Sequence, residues 1–202
     1  MKVLLASRNA KKLAELRRIL EAESVSGIEI VGLDDVPAFP EAPETGATFE
    51  ENAVAKARDA VTAVGLPTIA DDSGIVIDAL NGMPGVLSAR WSGGHGNDQA
   101  NLELVLAQLG DTPDERRGGG FVCAIALVLP DGTETILRAD WRGTVIRAPR
   151  GTNGFGYDPI FVPDGQDRTS AELTAEEKDA ISHRGQALRL LLPRLVALSS
   201  MG

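Results

Sequence analysis

Thr68-Ile69-Ala70-Asp71-Asp72-Ser73-Gly74-Ile75-Val76-Ile77 is an apolar, β-branched run broken in its middle by two carboxylates, a serine and a glycine. The flanks predict strands, and Asp, Ser and Gly are ordinary turn residues, so the stretch reads as strand–turn–strand. A carboxylate in such company is costly unless it is paired, hydrogen-bonded or bound to a metal. Neighbouring side chains of an extended chain point to opposite faces, so Asp71 and Asp72 can do different jobs. One could hold the turn while the other faces a cleft and binds a hard cation.

Working outward, Val3 to Ala6 reads as a short buried strand, followed by a helix with Leu13, Leu16, Ile19 and Leu20 on one face. Gly32 to Pro43 is Pro- and acid-rich and reads as a loop. A second helix is predicted from near Thr48, which has capping-box spacing to Glu51, as far as Gly65. Past the Asp-Asp stretch, Asn81 to Gly96 is a Gly/Pro-rich loop, and Leu102, Val105, Leu106 and Leu109 mark a third helix. Asp111 to Gly120 reads as a charged connection ending in glycines. Phe121–Leu129 and Thr133–Trp141 flank Pro130-Asp131-Gly132, a hairpin signal, and a further strand is expected through Thr144 to Arg147. Gly151 to Pro163 shows no clear period. Thr174 and Glu177 predict another capped helix, and Ala187 to Leu198 a final amphipathic one. Strands alternating with helices, plus one antiparallel hairpin, predict an α/β fold with a central mixed sheet. No repeat, low-complexity tail or linker divides residues 1–202, which read as one domain.

The chain has 202 residues and a formal net charge of −9, enough length for a sizeable core. Without a basic block it is a poor match for nucleic acid, which is bound through basic phosphate contacts. An anionic substrate would need a local site of a few lysines, backbone N–H groups and a cation. The lone Cys123 sits in a strand-like run and reads as a buried, inert thiol. No signal peptide is evident in Val3-Leu4-Leu5-Ala6, which is soon followed by Arg8, Lys11 and Lys12. The longest apolar run, Phe121 to Leu129, is far short of the roughly 20 residues of a membrane span. A soluble, cytoplasmic protein with no membrane partner is the expectation.

Ser7-Arg8-Asn9-Ala10-Lys11-Lys12 falls at the turn from the first strand into the first helix. Free N–H groups and the positive end of a helix dipole suit phosphate there, with Lys12 as a point charge; Asn9 as a plain N-cap is the plainer alternative. The second helix carries an anomaly. Its apolar stripe is Phe49, Ala53, Ala57, Ala60 and Val64, yet Asn52 and Lys56 lie on the same side. An inward lysine is expensive unless an anion meets it, or unless it snorkels at the stripe edge. Glu44, beside Gly46, could join a cation site. In Gly154-Phe155-Gly156-Tyr157-Asp158-Pro159 a ring stands between two glycines, which suits stacking on a flat base, or a ring that plugs the core. Ser182-His183-Arg184 supplies donors near a helix start, and Ser88-Ala89-Arg90-Trp91 another loop cation. Neither His95 nor His183 has a zinc-like partner set.

Six segments in order resemble the inosine triphosphate pyrophosphatase family, the non-standard purine nucleoside triphosphate pyrophosphatases. They are SRNAKK at Ser7–Lys12, ETGATFEENAVAKA at Glu44–Ala57, ADDSG at Ala70–Gly74, PGVLSARW at Pro84–Trp91, GFGYDPIF at Gly154–Phe161, and AELTAEEKDAISHRGQAL at Ala171–Leu188. The resemblance implies an elongated α/β fold with a central mixed sheet, a single unit of two lobes with an interlobe cleft, as a homodimer. It implies Mg²⁺-dependent hydrolysis of dITP, ITP and XTP, the deaminated purine nucleotides, to the monophosphate plus pyrophosphate. By the same resemblance Ser7, Arg8, Asn9, Ala10, Lys11 and Lys12 bind the triphosphate. Asp72 is the general base and metal-linked carboxylate, with Lys56 and Glu44 in supporting phosphate and metal roles. Ser73, Lys178 and Phe155, Gly156, Tyr157 and Asp158 hold substrate, with His183 and Arg184 at the base. Trp91 departs from the family's more usual tyrosine.

These implications make physical sense of the anomalies. Breaking a phosphoanhydride needs charge neutralised over several phosphoryl oxygens, which Mg²⁺, Lys12, Lys56 and helix N–H groups would supply. A carboxylate of ordinary pKa, about 3.9, is a weak base. Asp72 therefore acts on a metal-activated water, the reading preferred here, or has its pKa raised by Glu44 or Asp71. Donors from Arg184 and local N–H groups would favour the O6 acceptor of hypoxanthine and xanthine over the amine of adenine. A pyrophosphatase of the same fold tuned to an altered pyrimidine, and a silent nucleotide-binding regulator, are the competing readings.

Overall fold

A computed structural model of the chain describes residues 1–40 and 43–199. Among them six strands form one sheet in the order β2-β1-β3-β4-β5-β6. The strands are β1 (Lys2–Leu5), β2 (Glu29–Val31), β3 (Thr68–Ile77), β4 (Gly118–Val128), β5 (Glu134–Val145) and β6 (Phe161–Pro163). β1 pairs in parallel with β2 and β3, and β5 antiparallel with β6, so the sheet is mixed, as expected. The helices are α1 (Ala10–Ala22), α2 (Phe49–Val64), α3 (Asp98–Gln108), α4 (Ala175–Ile181) and α5 (His183–Ser199).

The expected strand–turn–strand at the Asp-Asp stretch is wrong. Thr68 to Ile77 is one unbroken strand, and Asp71 and Asp72 stand in its interior. Turn chemistry loses because both carboxylates have cationic partners, and because Gly74 serves close packing. A Cβ at position 74 would lie 2.3 Å from Ser88 Oγ and 2.5 Å from the Gly85 carbonyl oxygen.

Two more readings change, again with glycines at close approaches. Gly118, Gly119 and Gly120 open β4 instead of ending a connection. A Cβ at 119 would meet the Val76 carbonyl at 2.6 Å, and one at 120 the Trp141 carbonyl at 2.9 Å. The strand expected through Thr144 to Arg147 is the end of β5 itself. Gly143 in its interior lets β6 approach, since a Cβ there would lie 2.3 Å from the Val162 carbonyl. The short strand β2 had no expectation attached, and α5 starts four residues before the expected Ala187. Of the expected loop from Gly32 to Pro43, residues 41 and 42 lie outside the described residues; Leu33–Asp35 within it forms a 3₁₀ turn.

The capping signals held. Asn9 caps α1 by accepting from the Lys11 N–H, and Thr48 caps α2 by accepting from the Glu51 N–H. Glu51 does not complete a capping box; its carboxylate reaches back to the Ala47 N–H instead, at 2.7 Å. Gly65 ends α2 with φ +72°, a left-handed conformation in which glycine carries no Cβ penalty. Thr174 and Glu177 do form a complete box on α4.

The chain divides into two compact units. The first comprises Met1–Asp72, Cys123–Ala139 and Arg184–Gly202; the second comprises Ser73–Val122 and Asp140–His183. The core of the first gathers Val3, Leu5, Leu16, Ile19, Ile69, Ile125, Leu188, Leu191 and Leu195, with Leu4, Val31 and Ala60 in a smaller cluster. That of the second gathers Ile75, Ile77, Leu102, Val105, Phe121, Trp141, Tyr157, Ile160 and Phe161. Cys123 is fully buried, and burial pushes its thiol pKa up to about 12, so the inert reading stands. Among the described residues no helix is long and apolar enough to cross a membrane.

Candidate active site

In the first unit the pleat of β3 sends its two acids to different partners. Asp71 Oδ2 lies 2.7 Å from Lys12 Nζ and 3.5 Å from Arg184 Nε. Arg184 also donates from Nη1 to Glu15 Oε2 at 3.1 Å, and all of Asp71, Arg184 and Glu15 are buried. Burial alone would raise the Asp71 pKa. The charges of Lys12, Arg184 and Lys56 outweigh it and hold the carboxyl far below the usual range.

Asp72 faces α2. Its Oδ2 accepts from Asn52 Nδ2 at 2.9 Å, and its Oδ1 lies 3.7 Å from Lys56 Nζ. Lys56 donates in turn to Glu44 Oε1 at 2.8 Å. Here the balance reverses: burial first, with help from Glu44, raises the Asp72 pKa against the pull of Lys56 and Asn52. Burial would lower the Lys56 pKa, but Asp72, Asp71 and Glu44 together raise it. The anomaly on α2 is thereby resolved. Ala53, Ala57 and Ala60 are fully buried, and small residues let a helix lie close to its neighbour. Asn52 and Lys56, one turn apart on that face, then reach a carboxylate of the sheet.

The loop before α1 is organised by its own side chains. Ser7 Oγ accepts from the Asn9 N–H at 3.2 Å and Asn9 Oδ1 from the Lys11 N–H at 3.0 Å. Arg8, Ala10 and Lys11 are exposed, while Lys12 turns inward to Asp71.

In the second unit Asp158 is the hub. Buried to 2% exposure, it receives Ser170 Oγ at 2.8 Å, Lys178 Nζ at 2.5 Å and the Phe155 N–H at 2.9 Å. Gly154 packs so tightly on this carboxylate that a Cβ would fall 2.0 Å from Oδ2. Lys178 Nζ sits 5.3 Å from the centre of the Phe155 ring, within cation–π reach. The Gly156 N–H donates to Asp98 Oδ2 at 2.9 Å, and Tyr157 donates its hydroxyl to the Ser88 carbonyl at 2.7 Å. Phe155 is therefore no core plug but a half-buried ring on a fixed loop. His183 is buried and stacks on Phe121 at 4.9 Å between ring centres. Ser73 follows Asp72 on β3, partly exposed.

A magnesium ion is held by one or two carboxylates, with water and substrate oxygens completing an octahedron. Asp72 and Glu44 supply two carboxylates that converge on one ammonium, and Glu44 already disfavours the charge on Asp72. That mutual repulsion is what a cation relieves, so this donor set fits magnesium shared with a substrate. Among the described residues no three His, Cys, Asp or Glu side chains gather to hold a metal by themselves.

The structure thus brings Lys12, Lys56, Glu44, Asp72 and Arg184 together in the first unit, and Phe155, Asp158 and Lys178 in the second. Sequence reasoning passed over Glu15, Ser170 and Asp98 as partners. Glu15 had a weak signal, lying one turn before Ile19 on the buried side of α1. Ser170 and Asp98 had none, because their contacts join segments 12 and 58 residues apart.

A family model described as Ham1 family matches residues 3–194. The dITP/XTP pyrophosphatase of Nocardia farcinica is 69% identical over 198 residues, covering 98% of this chain and 96% of that protein. The one from Mycobacteroides abscessus is 63% identical over 202 residues, covering 100% and 98%. The crystal structure of a nucleoside-triphosphatase / dITP/XTP pyrophosphatase from Mycobacterium abscessus matches with a TM-score of 0.80 at 64% identity, over 96% of this chain and 100% of that one. A HAM1 protein from Coxiella burnetii matches with a TM-score of 0.88 at 43% identity, over 98% and 99%. Sequence and fold agree along the whole length, and the chain belongs to the Ham1 family.

Proposed function

We propose that this chain hydrolyses dITP, ITP and XTP to the monophosphate and pyrophosphate, cleansing the nucleotide pool of deaminated purines. The observation that carries the reading is the divided labour of two adjacent acids: Asp71 is tied to Lys12 and Arg184, while Asp72 meets Lys56 and Asn52 with Glu44 close by. The names of the relatives at 69% and 63% identity support the substrate class.

In this reading Asp72 is the base. A water loses its proton to Asp72, its oxygen bonds to the α-phosphorus, and the α–β bridging oxygen leaves with the pyrophosphate. Lys56 and Lys12 neutralise charge on the phosphoryl oxygens, and Asp71 holds Lys12 for that purpose. Ser7, Arg8, Asn9, Ala10 and Lys11 offer hydroxyl, side-chain and backbone donors at the start of α1, where the helix dipole favours an anion. Asp72 and Glu44 would hold Mg²⁺, which when bound screens the triphosphate and lowers the pKa of water.

The Phe155 ring supplies a stacking face, and the Lys178 ammonium beside it a donor for an acceptor at position 6 of the base. Hypoxanthine, xanthine and guanine carry that acceptor and adenine a donor; guanine differs by its 2-amino donor, which a donor-lined pocket rejects. Gly156, Tyr157, Asp158, Ser73 and His183 shape or complete these contacts. Arg184, buried against Glu15 and Asp71, serves the acid cluster as well as any base contact. A homodimer in the cytoplasm completes the reading.

Product analysis with Mg²⁺ tests it, comparing dITP, ITP and XTP with ATP, GTP and dTTP. Monophosphate plus pyrophosphate from the deaminated purines is the expected result. Equal cleavage of all would keep the chemistry and refute the base selection. Release of orthophosphate would refute attack at the α-phosphorus.

A further inference from the structure

We infer that Asn52 is a positioning residue that ties the loop carrying Glu44 to Asp72 and so fixes the spacing of the two carboxylates; the inference rests on the proposed roles of those acids. Asn52 is 1% exposed, in a helix whose other buried residues are Phe49, Ala53, Val54, Ala57 and Ala60. A buried amide demands partners for both of its ends, and here each end has one. The Nδ2 group donates to Asp72 Oδ2 at 2.9 Å, and Oδ1 accepts from the Gly46 N–H at 2.8 Å. Partner chemistry fixes this orientation: an N–H needs the amide oxygen, and a carboxylate needs the amide nitrogen.

The residue type follows from that double demand. Aspartate keeps the acceptor for Gly46 but sets a second negative charge against Asp72. Alanine keeps neither. Glutamine keeps both but is one methylene longer, where a Cβ on Gly46 would already meet Asn52 Oδ1 at 2.6 Å and Glu51 Cβ at 2.8 Å. The loop therefore lies flush on the start of α2, further held by the Ala47 N–H to Glu51 Oε2 at 2.7 Å. Two residues upstream, Glu44 meets Lys56, one turn after Asn52. By engaging Asp72 Oδ2, Asn52 also determines that Oδ1 is the oxygen turned towards Lys56. Groups behind a metal ligand that set its orientation typically change affinity or activity by about 10- to 100-fold when lost.

The test compares Asn52→Asp, Asn52→Ala and Gly46→Ala with the parent chain. Gly46→Ala displaces the loop without altering any side chain that touches Asp72. Each variant is measured for melting temperature, for kcat and KM on dITP with Mg²⁺, and for Mn²⁺ binding by calorimetry without nucleotide. The inference expects all three to fold and to lose about 10- to 100-fold in kcat with KM for dITP nearly unchanged, and expects Asn52→Ala and Gly46→Ala to bind Mn²⁺ more weakly. The Asn52→Ala/Gly46→Ala double variant should lose much less than the product of the single losses, because both break one link. Undiminished kcat and Mn²⁺ affinity in folded Asn52→Ala would overturn the inference, as would multiplicative losses in the double variant. If the parent chain cleaves no triphosphate, the proposed activity fails by itself, and the Mn²⁺ titrations of parent and variants still decide the role of Asn52.

Discussion

Each unit buries a carboxylate against a lysine, yet the two clusters are built differently. In the first unit Asp71 meets Lys12 and Arg184, and Asp72 and Glu44 both meet Lys56. In the second, Asp158 accepts from one ammonium, one hydroxyl and one backbone N–H. Two carboxylates that share one ammonium can take up a cation and shift protons, as the proposed reaction requires. A carboxylate closed in by an ammonium, a hydroxyl and an N–H holds a loop still, here the loop that presents Phe155. In the proposed reading buried charge thus serves two ends in one protein, one reactive and one structural.

Neutralising each acid in turn breaks the comparison most directly. Asp72→Asn should cut kcat on dITP by about 1,000-fold, the scale of a lost general base, with the melting temperature no lower than the parent's. Near-normal turnover would remove Asp72 from the mechanism and leave the first cluster as mere packing. Asp71→Asn should act on stability before chemistry. It takes the acid from half-buried Lys12 and one of two acids from buried Arg184, which keeps Glu15, at a cost of about 3 kcal/mol by urea denaturation. Asp158→Asn should raise KM for dITP by about 10-fold with kcat nearly held, since it loosens the presentation of Phe155 and Lys178. A collapse in kcat there as deep as that of Asp72→Asn would erase the distinction between the clusters.

The pH dependence of stability sharpens the contrast with the smallest effect. The folded state holds Asp71 below its ordinary pKa. The stability from its pairing is therefore complete above the ordinary carboxylate range, about pH 4, and is lost as pH falls below it. Asp72 has the opposite sign. Its pKa is raised on folding, so ionising it costs stability as pH rises through that range towards the folded value. Denaturation curves from about pH 3 to about pH 7 should show a shallower acid-side loss in Asp71→Asn than in the parent, and a steeper gain with pH in Asp72→Asn. Equal slopes in both variants would mean that the two acids are not electrostatically distinct.

Much of the fold was legible because its signals are local. Thr48 and Thr174 as caps, Gly65 as a stop, and Pro130-Asp131-Gly132 as a hairpin act through neighbours in sequence. The inward placement of Asn52 and Lys56 was legible too, since helical spacing alone puts them on the alanine face. What misled were the glycines and the acids of the strands. Gly74, Gly119 and Gly120 resemble turn residues in the sequence, and the structure uses each for a close approach by Ser88, Val76 or Trp141.

By itself the sequence determined an α/β chain with an inward lysine on its second helix and two adjacent acids able to face opposite ways, because periodicity and alternation are properties of the backbone. Only the tertiary structure decided that those acids stand inside an unbroken strand, that Arg184 and Glu15 close around Asp71, and that Asn52 joins Asp72 to Gly46. These are contacts between segments as much as 169 residues apart. Whether a buried charge is tolerated depends on which partners the fold brings to it, and no local pattern records that.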